Sequence, residues 1–106
     1  MPDRSADQPA LNANALLIDP GDNVAGALAD IVAGSAVILS GAVSLEAGEP
    51  IPFAHKIAVR RIPSGEAVLK YGVPIAFATR DIPAGAWVHE HNAKSYFVAK
   101  KEAQGA

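Results

Sequence analysis

Glycine and proline recur every few residues along this chain and divide it into short apolar runs. Six of these runs have strand-like composition and are bounded by Gly, Pro or Asp; they cover residues 15–18, 37–39, 56–60, 67–70, 75–79 and 87–91. Short strands separated by closely spaced turns are typical of all-β domains. The sequence therefore predicts an all-β fold.

One segment fits a short helix as well as a strand. Residues 22–29 begin with Asp22 and Asn23, which are good helix-capping residues, and continue with several alanines. Gly26 and the β-branched Val24 weaken a helix here, so we favour a strand.

A repeated motif is the most informative part of the pattern. Segments 30–37, 61–68 and 81–88 align without gaps on the form [DR]-I-x-[AS]-G-x-x-V. Its isoleucine predicts a core anchor, its glycine a tight turn with positive φ, and its valine the start of the next strand. The copies are 31 and 20 residues apart, which predicts a compact pseudo-symmetric β fold rather than a regular solenoid.

Length and composition allow one small domain with a thin core. The chain has 106 residues, half of them apolar, but only 6% are aromatic and alanine fills much of the apolar share. Residues 1–14 and 98–106 are polar and aperiodic, so we expect two disordered tails around a domain at 15–97.

Charge and cysteine content exclude several classes of function. A net charge of −2 argues against a nucleic-acid partner, and zero cysteines exclude disulfides and thiolate metal sites. The longest uncharged stretch, residues 31–45, is too short for a membrane helix, and no secretory signal is visible. We therefore expect a cytoplasmic protein without a membrane partner. About 85 ordered residues can hardly enclose a substrate as well as a core, so a second polypeptide is expected to complete any active site.

Three histidines carry the strongest chemical signal. On a strand at 87–91, His89 and His91 would share one face and Glu90 would point to the other. Such a pair can bind a metal ion, with a third ligand from elsewhere, or contact an anionic substrate. Two solvent-exposed histidines without a function fit the same pattern.

Two further pairs combine a positive charge with a second polar group. His55 and Lys56 follow a proline-restrained approach, and Lys70 and Tyr71 end a strand at a turn. They could bind a carboxylate, or they could be ordinary surface residues.

The C-terminal half resembles a known family. Residues 54–72 read AHKIAVRRIPSGEAVLKYG and residues 80–92 read RDIPAGAWVHEHN. These strings are similar to the SAF domain of the altronate/galactarate dehydratase family, with its His-Lys pair, its Lys-Tyr-Gly strand end and its His-x-His-Asn string. The small subunit of sulfolactate sulfo-lyase is also similar, and the resemblance covers about residues 15–93.

The resemblance implies a β-clip fold and the small subunit of a hydro-lyase. That subunit would complete the active site of a larger dehydratase subunit acting on a sugar acid such as altronate or galactarate, or on another hydroxy acid. The family reaction is usually aided by a divalent metal such as iron, which the large subunit would share or hold. The matching positions imply two groups of site residues: His55, Lys56, Lys70, His89 and His91 as catalytic groups, with His89 and His91 also as metal ligands, and Tyr71 and Asn92 as substrate-binding groups.

Three positions depart from the family pattern. Asp19 stands where a histidine is often found, and Ala54 and Ala76 stand where glycines are often found. These departures leave a second hypothesis open, in which the chain is a non-catalytic SAF-type binding or assembly module.

Overall fold

The computed structural model of the protein describes residues 13–39 and 45–95. The described residues form nine strands and no helix: β1 (Ala15–Leu16), β2 (Val24–Ala27), β3 (Ala36–Val37), β4 (Leu45–Glu46), β5 (Lys56–Ala58), β6 (Ala67–Lys70), β7 (Val73–Ala78), β8 (Trp87–Val88) and β9 (Ala93–Ser95). The predicted all-β fold is confirmed, and the ambiguous segment 22–29 contains β2. This part of the chain accordingly offers no helix long and apolar enough to span a membrane. Most of both predicted tails, residues 1–12 and 98–106, lies outside the described residues.

The strands form three antiparallel sheets. The largest has the order β1-β2-β5-β8, the second is the β3-β4 pair, and the third has the order β6-β7-β9. Because β5 lies between β2 and β8, Lys56 stands opposite Gly26 on one side and Val88 on the other. This register brings the His-Lys segment beside the segment that carries the other two histidines.

The four-stranded sheet has a hydrophobic cluster on each face, because side chains alternate along a strand. Val24 and Ala58 belong to one cluster, whereas their neighbours Ala25 and Ile57 belong to the other. Buried alanines fill many core positions, as the composition predicts: Ala15, Ala25, Ala27, Ala47, Ala58, Ala78 and Ala86.

The isoleucines of the repeat form two bridged pairs. Ile62 and Ile82 exchange both backbone hydrogen bonds, at 2.8 and 2.9 Å, and Ile31 does the same with Ile51 at 2.9 and 2.8 Å. Ile51 belongs to a fourth copy of the motif that the sequence analysis missed. The 20-residue spacing is therefore the separation within each bridged pair, and the 31-residue spacing separates the two pairs.

The backbone hydrogen bonds repeat with the same 31-residue spacing. Gly34 N donates to the carbonyl of Ala47 at 2.8 Å, and Gly65 N donates to the carbonyl of Ala78 at 2.8 Å. The pseudo-symmetry expected from the repeat is thus an internal duplication of one hairpin-and-turn unit.

The fourth copy, residues 50–57, is hidden in the sequence because only its isoleucine matches the motif; proline, phenylalanine, alanine and isoleucine stand at the other defined positions. Gly34, Gly65 and Gly85 have φ values of +84°, +86° and +88°, which confirms the predicted positive φ. Ala54 occupies the same position with φ +70°, although a side chain is disfavoured there.

Ala54→Gly is therefore expected to stabilise the domain. Removing the Cβ relieves a left-handed strain of about 1 kcal/mol, which corresponds to a rise in Tm of about 4 °C or more in a domain of this size. The measurement is thermal unfolding followed by circular dichroism. Ala33→Gly is the control, because Ala33 is exposed in the first turn without a positive φ. A loss of stability in both variants would contradict strain at Ala54.

Candidate functional site

Three imidazoles contact the half-buried indole of Trp87. The His89 ring stacks on it, with centroids 5.1 Å apart and planes 10° apart. The His91 and His55 rings lie 5.0 and 5.6 Å from it in tilted arrangements, and the His55 and His89 centroids are 4.8 Å apart. The structure therefore brings all three predicted histidines to one place.

A hydrogen bond joins the two strands that carry this cluster. Trp87 Nε1 donates to His55 Nδ1 at 3.0 Å, across 32 residues of chain. The bond forms because β5 pairs with β8, which sets Ile57 opposite Trp87 and places His55 beside the indole. Trp87 was not predicted as a site residue.

The strand predicted at 87–91 is wrong beyond Val88. Residues 89–92 form a turn, in which the amides of Asn92 and Ala93 donate to the carbonyl of His89 at 3.1 and 2.9 Å. The alternation that was expected to separate Glu90 from the histidines is therefore absent. His89 and Glu90 instead line the same cleft.

The Asn92 side chain holds this turn in place with two hydrogen bonds to the backbone. Its side chain is buried, accepts a hydrogen bond from the backbone of His89 at 3.0 Å and donates one to the carbonyl of Trp87 at 2.8 Å. Both ends of the amide are thus engaged with the backbone, and this geometry favours a role in positioning the histidines. Its predicted contact with substrate stays a prediction.

The cleft beside this turn has a volume of about 220 Å³ and is open to solvent. Its lining combines polar and apolar side chains: Lys56, Val68, Ile75, Ala76, Val88, His89, Glu90, Ala93 and Ser95. A small open cleft with a lysine and an imidazole can bind a carboxylate or move a proton, but it cannot enclose a substrate.

Lys56 is electrostatically unusual. Its partial burial lowers its pKa below the ordinary value of 10.5, and the positive charge of Lys70 lowers it further. The ion pair found in the described part of the chain joins Arg61 to Asp81, and no described carboxylate lies within salt-bridge distance of Lys56 or Lys70. Lys56 thus brings a positive charge without a salt-bridge partner to the cleft, which it shares with Glu90, and Lys70 adds positive potential from the neighbouring groove.

Lys70→Met is expected to raise the pKa of Lys56 part of the way towards 10.5. The substitution removes the repulsion between the two ammonium groups and leaves the burial of Lys56 unchanged. An NMR titration of the Lys56 side chain in the full chain measures this. Lys70→Arg keeps the charge and should leave the titration unaltered; equal shifts in both variants would contradict an electrostatic cause.

Lys70 and Tyr71 lead into a tight turn held by a buried carboxylate. Tyr71 and Gly72 both have positive φ, as the favoured two-residue hairpin turns require. Asp22 accepts hydrogen bonds from both of their amides, at 3.0 and 2.8 Å. Lys70 Nζ lies 5.2 Å from the centroid of the exposed Tyr71 ring. Sequence reasoning gave Asp22 no such role, because its partners lie about 50 residues away.

A second, apolar groove of about 240 Å³ lies at this turn. Five of its lining residues are large hydrophobic side chains that are at least two-fifths exposed: Leu16, Ile18, Leu28, Phe53 and Tyr71. Tyr71 and Lys70 therefore border a different depression from the one that His89 lines.

Potential metal ligands are sparse around the three histidines. Within residues 13–39 and 45–95, no group of three or more His, Asp or Glu side chains is placed to hold one. The described residues do not provide a complete metal site on this chain. Ligation by His89 and His91 stays a prediction that needs at least one further ligand from outside the described residues.

Comparison with known proteins identifies the domain. A sequence profile described as the altronate/galactarate dehydratase SAF domain matches residues 13–96. The chain belongs to this family. The SAF domain match covers all the residues of the candidate site, from Asp22 to Asn92.

Named relatives of this SAF domain are lyases. Altronate dehydratase of Bacillus subtilis is 42% identical over 74 residues, which are 70% of this chain and 15% of that enzyme. Altronate dehydratase of Escherichia coli is 43% identical over 75 residues, again 70% of this chain and 15% of the enzyme. The (2R)-sulfolactate sulfo-lyase subunit alpha of Chromohalobacter salexigens is 38% identical over 53 residues, 50% of this chain and 56% of that subunit. The chain thus spans about 15% of the length of the altronate dehydratases that it matches.

Proposed function

We propose that this chain is the small SAF-domain subunit of a hydro-lyase that dehydrates a sugar acid such as altronate or galactarate in the cytoplasm. A larger catalytic subunit would supply most of the active site. The observation that carries the proposal is the open cleft where Lys56 and His89 meet, within a domain whose relatives are dehydratases.

The chemistry of elimination fits these groups. Loss of water next to a carboxylate needs a base, an acid for the departing hydroxide, and positive charge near the carboxylate and the developing enolate. Lys56 has a lowered pKa, which brings it closer to the working range of a general base. His89 supplies an imidazole in the same cleft, with the His55 ring 4.8 Å from it. Lys70 adds a second positive charge from the neighbouring groove.

The incomplete cleft supports a partner subunit. About 220 Å³ open to solvent lies below the usual range of enclosed ligand pockets, which is about 300–1,000 Å³. A divalent metal such as iron would on this proposal be held by the large subunit, because the described residues lack a full ligand set. The name "subunit alpha" of the sulfo-lyase relative is consistent with such an arrangement.

The alternative is a binding or assembly module without catalytic groups. The exposed apolar groove near Tyr71 favours it, since exposed apolar patches often mark protein contacts. Under this alternative the SAF domain would dock to another chain, and its histidines would be dispensable.

Reconstitution separates the two candidates. The full chain is co-expressed with a family-type large subunit encoded in the same genome, and the purified complex is assayed for conversion of altronate, galactarate and sulfolactate. We expect turnover by the complex and none by the 106-residue chain alone. Robust turnover by the isolated chain would contradict the proposed requirement for a large subunit. Full activity of a complex that carries His89→Ala and Lys56→Met would favour the assembly module.

A further inference from the structure

Trp87 limits the chemical form that His55 can take. An indole Nε1–H is a donor only, so the atom that it bonds must offer a lone pair. At 3.0 Å that atom is His55 Nδ1, which must therefore be unprotonated while the bond exists. The neutral imidazole then carries its proton on Nε2 and presents a hydrogen-bond donor on the far side of the ring.

Trp87 is held at both its backbone and its ring. The Trp87 backbone amide donates to Glu49 Oε2 at 3.0 Å, and its carbonyl accepts from Asn92 Nδ2 at 2.8 Å. The ring stacks on His89, 10° from parallel. Two side chains therefore fix the backbone of Trp87, and the stacked His89 ring restricts its indole.

We propose that Trp87 is a positioning residue that holds His55 with its proton on Nε2, so that His55 acts as a hydrogen-bond donor to the substrate. The consequence for turnover rests on the proposed function, whereas the state of His55 does not. The Nε2–H of His55 would donate a hydrogen bond to the departing oxygen and keep its proton, because a neutral imidazole that lost it would become an anion. The proton that converts the hydroxide to water would come from an acid of the large subunit. The base that takes the carbon-bound proton would be a different group, with Lys56 as the candidate.

The first test is NMR on the full ¹⁵N-labelled chain. The chain has one tryptophan, so its indole N–H gives a single assignable signal. We expect a scalar coupling across the hydrogen bond between Trp87 Nε1 and His55 Nδ1, and an Nε2 chemical shift of a protonated nitrogen. A folded chain without this coupling would overturn the proposal.

Two variants test the hydrogen bond, one by removing its donor and the other by removing its acceptor. Trp87→Phe keeps an aromatic ring but removes the donor, so the His55 nitrogens should move towards the tautomer mixture of free histidine. His55→Ala should shift the indole signal and speed its exchange with water. His91→Ala is the matched control, because it removes a ring contact with Trp87 and leaves the hydrogen bond intact. Unchanged His55 shifts in a folded Trp87→Phe chain would contradict the positioning role.

The second test uses the reconstituted complex. Trp87→Phe should lower kcat by about tenfold to 100-fold, as for other groups that orient a functional imidazole, with KM changed less than about twofold. Trp87→Phe combined with His55→Ala should be no worse than His55→Ala alone, because the two residues act as one unit. Losses that multiply would overturn the proposal. If the coupling is present but no complex turns over any substrate, the proposed function fails and the positioning of His55 stands.

Discussion

Replacing Gly85 with alanine is expected to destabilise the domain by about 3 kcal/mol or more, a large part of the 5–15 kcal/mol that holds a typical domain folded. Gly85 has φ +88°, and a Cβ there would collide with the carbonyl oxygen of Glu46 and lie 3.1 Å from the amide of Gly48. The same glycine accepts a hydrogen bond from Gly48 at 2.9 Å. The backbone cannot move away from Glu46 without breaking this hydrogen bond, so relaxation cannot relieve the clash at little cost.

Gly65→Ala is the matched control for this prediction. Gly65 occupies the equivalent turn with φ +86°, but a Cβ there meets nothing within 4 Å. The control therefore carries only the cost of a left-handed alanine, about 1–2 kcal/mol. Urea unfolding of both variants measures the difference. Equal losses of stability would show that the close approach to Glu46 is unimportant.

Much of the fold could be predicted because its signals are local. Glycine at Gly34, Gly65 and Gly85 reports a positive φ wherever the chain makes this turn, and the structure confirms all three. The strand Ala67–Lys70 was predicted with its observed bounds, since turn residues flank it on both sides. The fourth copy of the motif escaped notice because Ala54 adopts the same conformation without the glycine that signals it.

The end of β8 could not be predicted, because a side chain competes with strand extension for the backbone groups. The segment from Trp87 to His91 has strand-like composition and follows the turn at Gly85. The buried Asn92 instead bonds the carbonyl of Trp87 and the amide of His89, which removes both groups from the sheet. The sequence shows that Asn92 follows residues 87–91, but it does not show that the Asn92 side chain is buried against the backbone and so ends the strand.

The geometry of the candidate site could not be predicted, because it depends on long-range strand pairing. The sequence singles out His55, His89 and Lys56 by type, but nothing in it states that the first two meet at Trp87. Their proximity follows from the pairing of β5 with β8, which is a long-range event. Asp22 is a further example, since its carboxylate joins two turns that are distant in sequence.

His89→Ala is expected to lower the activity of the reconstituted complex by about 100- to 1,000-fold, the usual cost of removing a group that stabilises charge in a transition state. The reason is that His89 lines the same cleft as Lys56, and the pKa of Lys56 is lowered there. The His89 side chain is exposed but stacks on Trp87, so its loss should lower the free energy of unfolding by only about 0.5–1.5 kcal/mol. Steady-state kinetics and thermal unfolding of the same preparations measure both quantities. Normal turnover in a complex that contains His89→Ala would contradict a catalytic role.

His91→Ala is the comparison that distinguishes a group in the cleft from a group that only contacts Trp87. His91 is an exposed histidine of the same turn and contacts the same indole, but it does not line the cleft. Removing it takes away a neighbour of Trp87 rather than a group facing the substrate, so we expect a loss of about tenfold or less, the lower end of the range for groups that orient a functional imidazole. Equal losses of 100-fold or more in both variants would contradict this distinction. That result would indicate that the two imidazoles act on one shared group, as a metal ion ligated by His89, His91 and the large subunit requires.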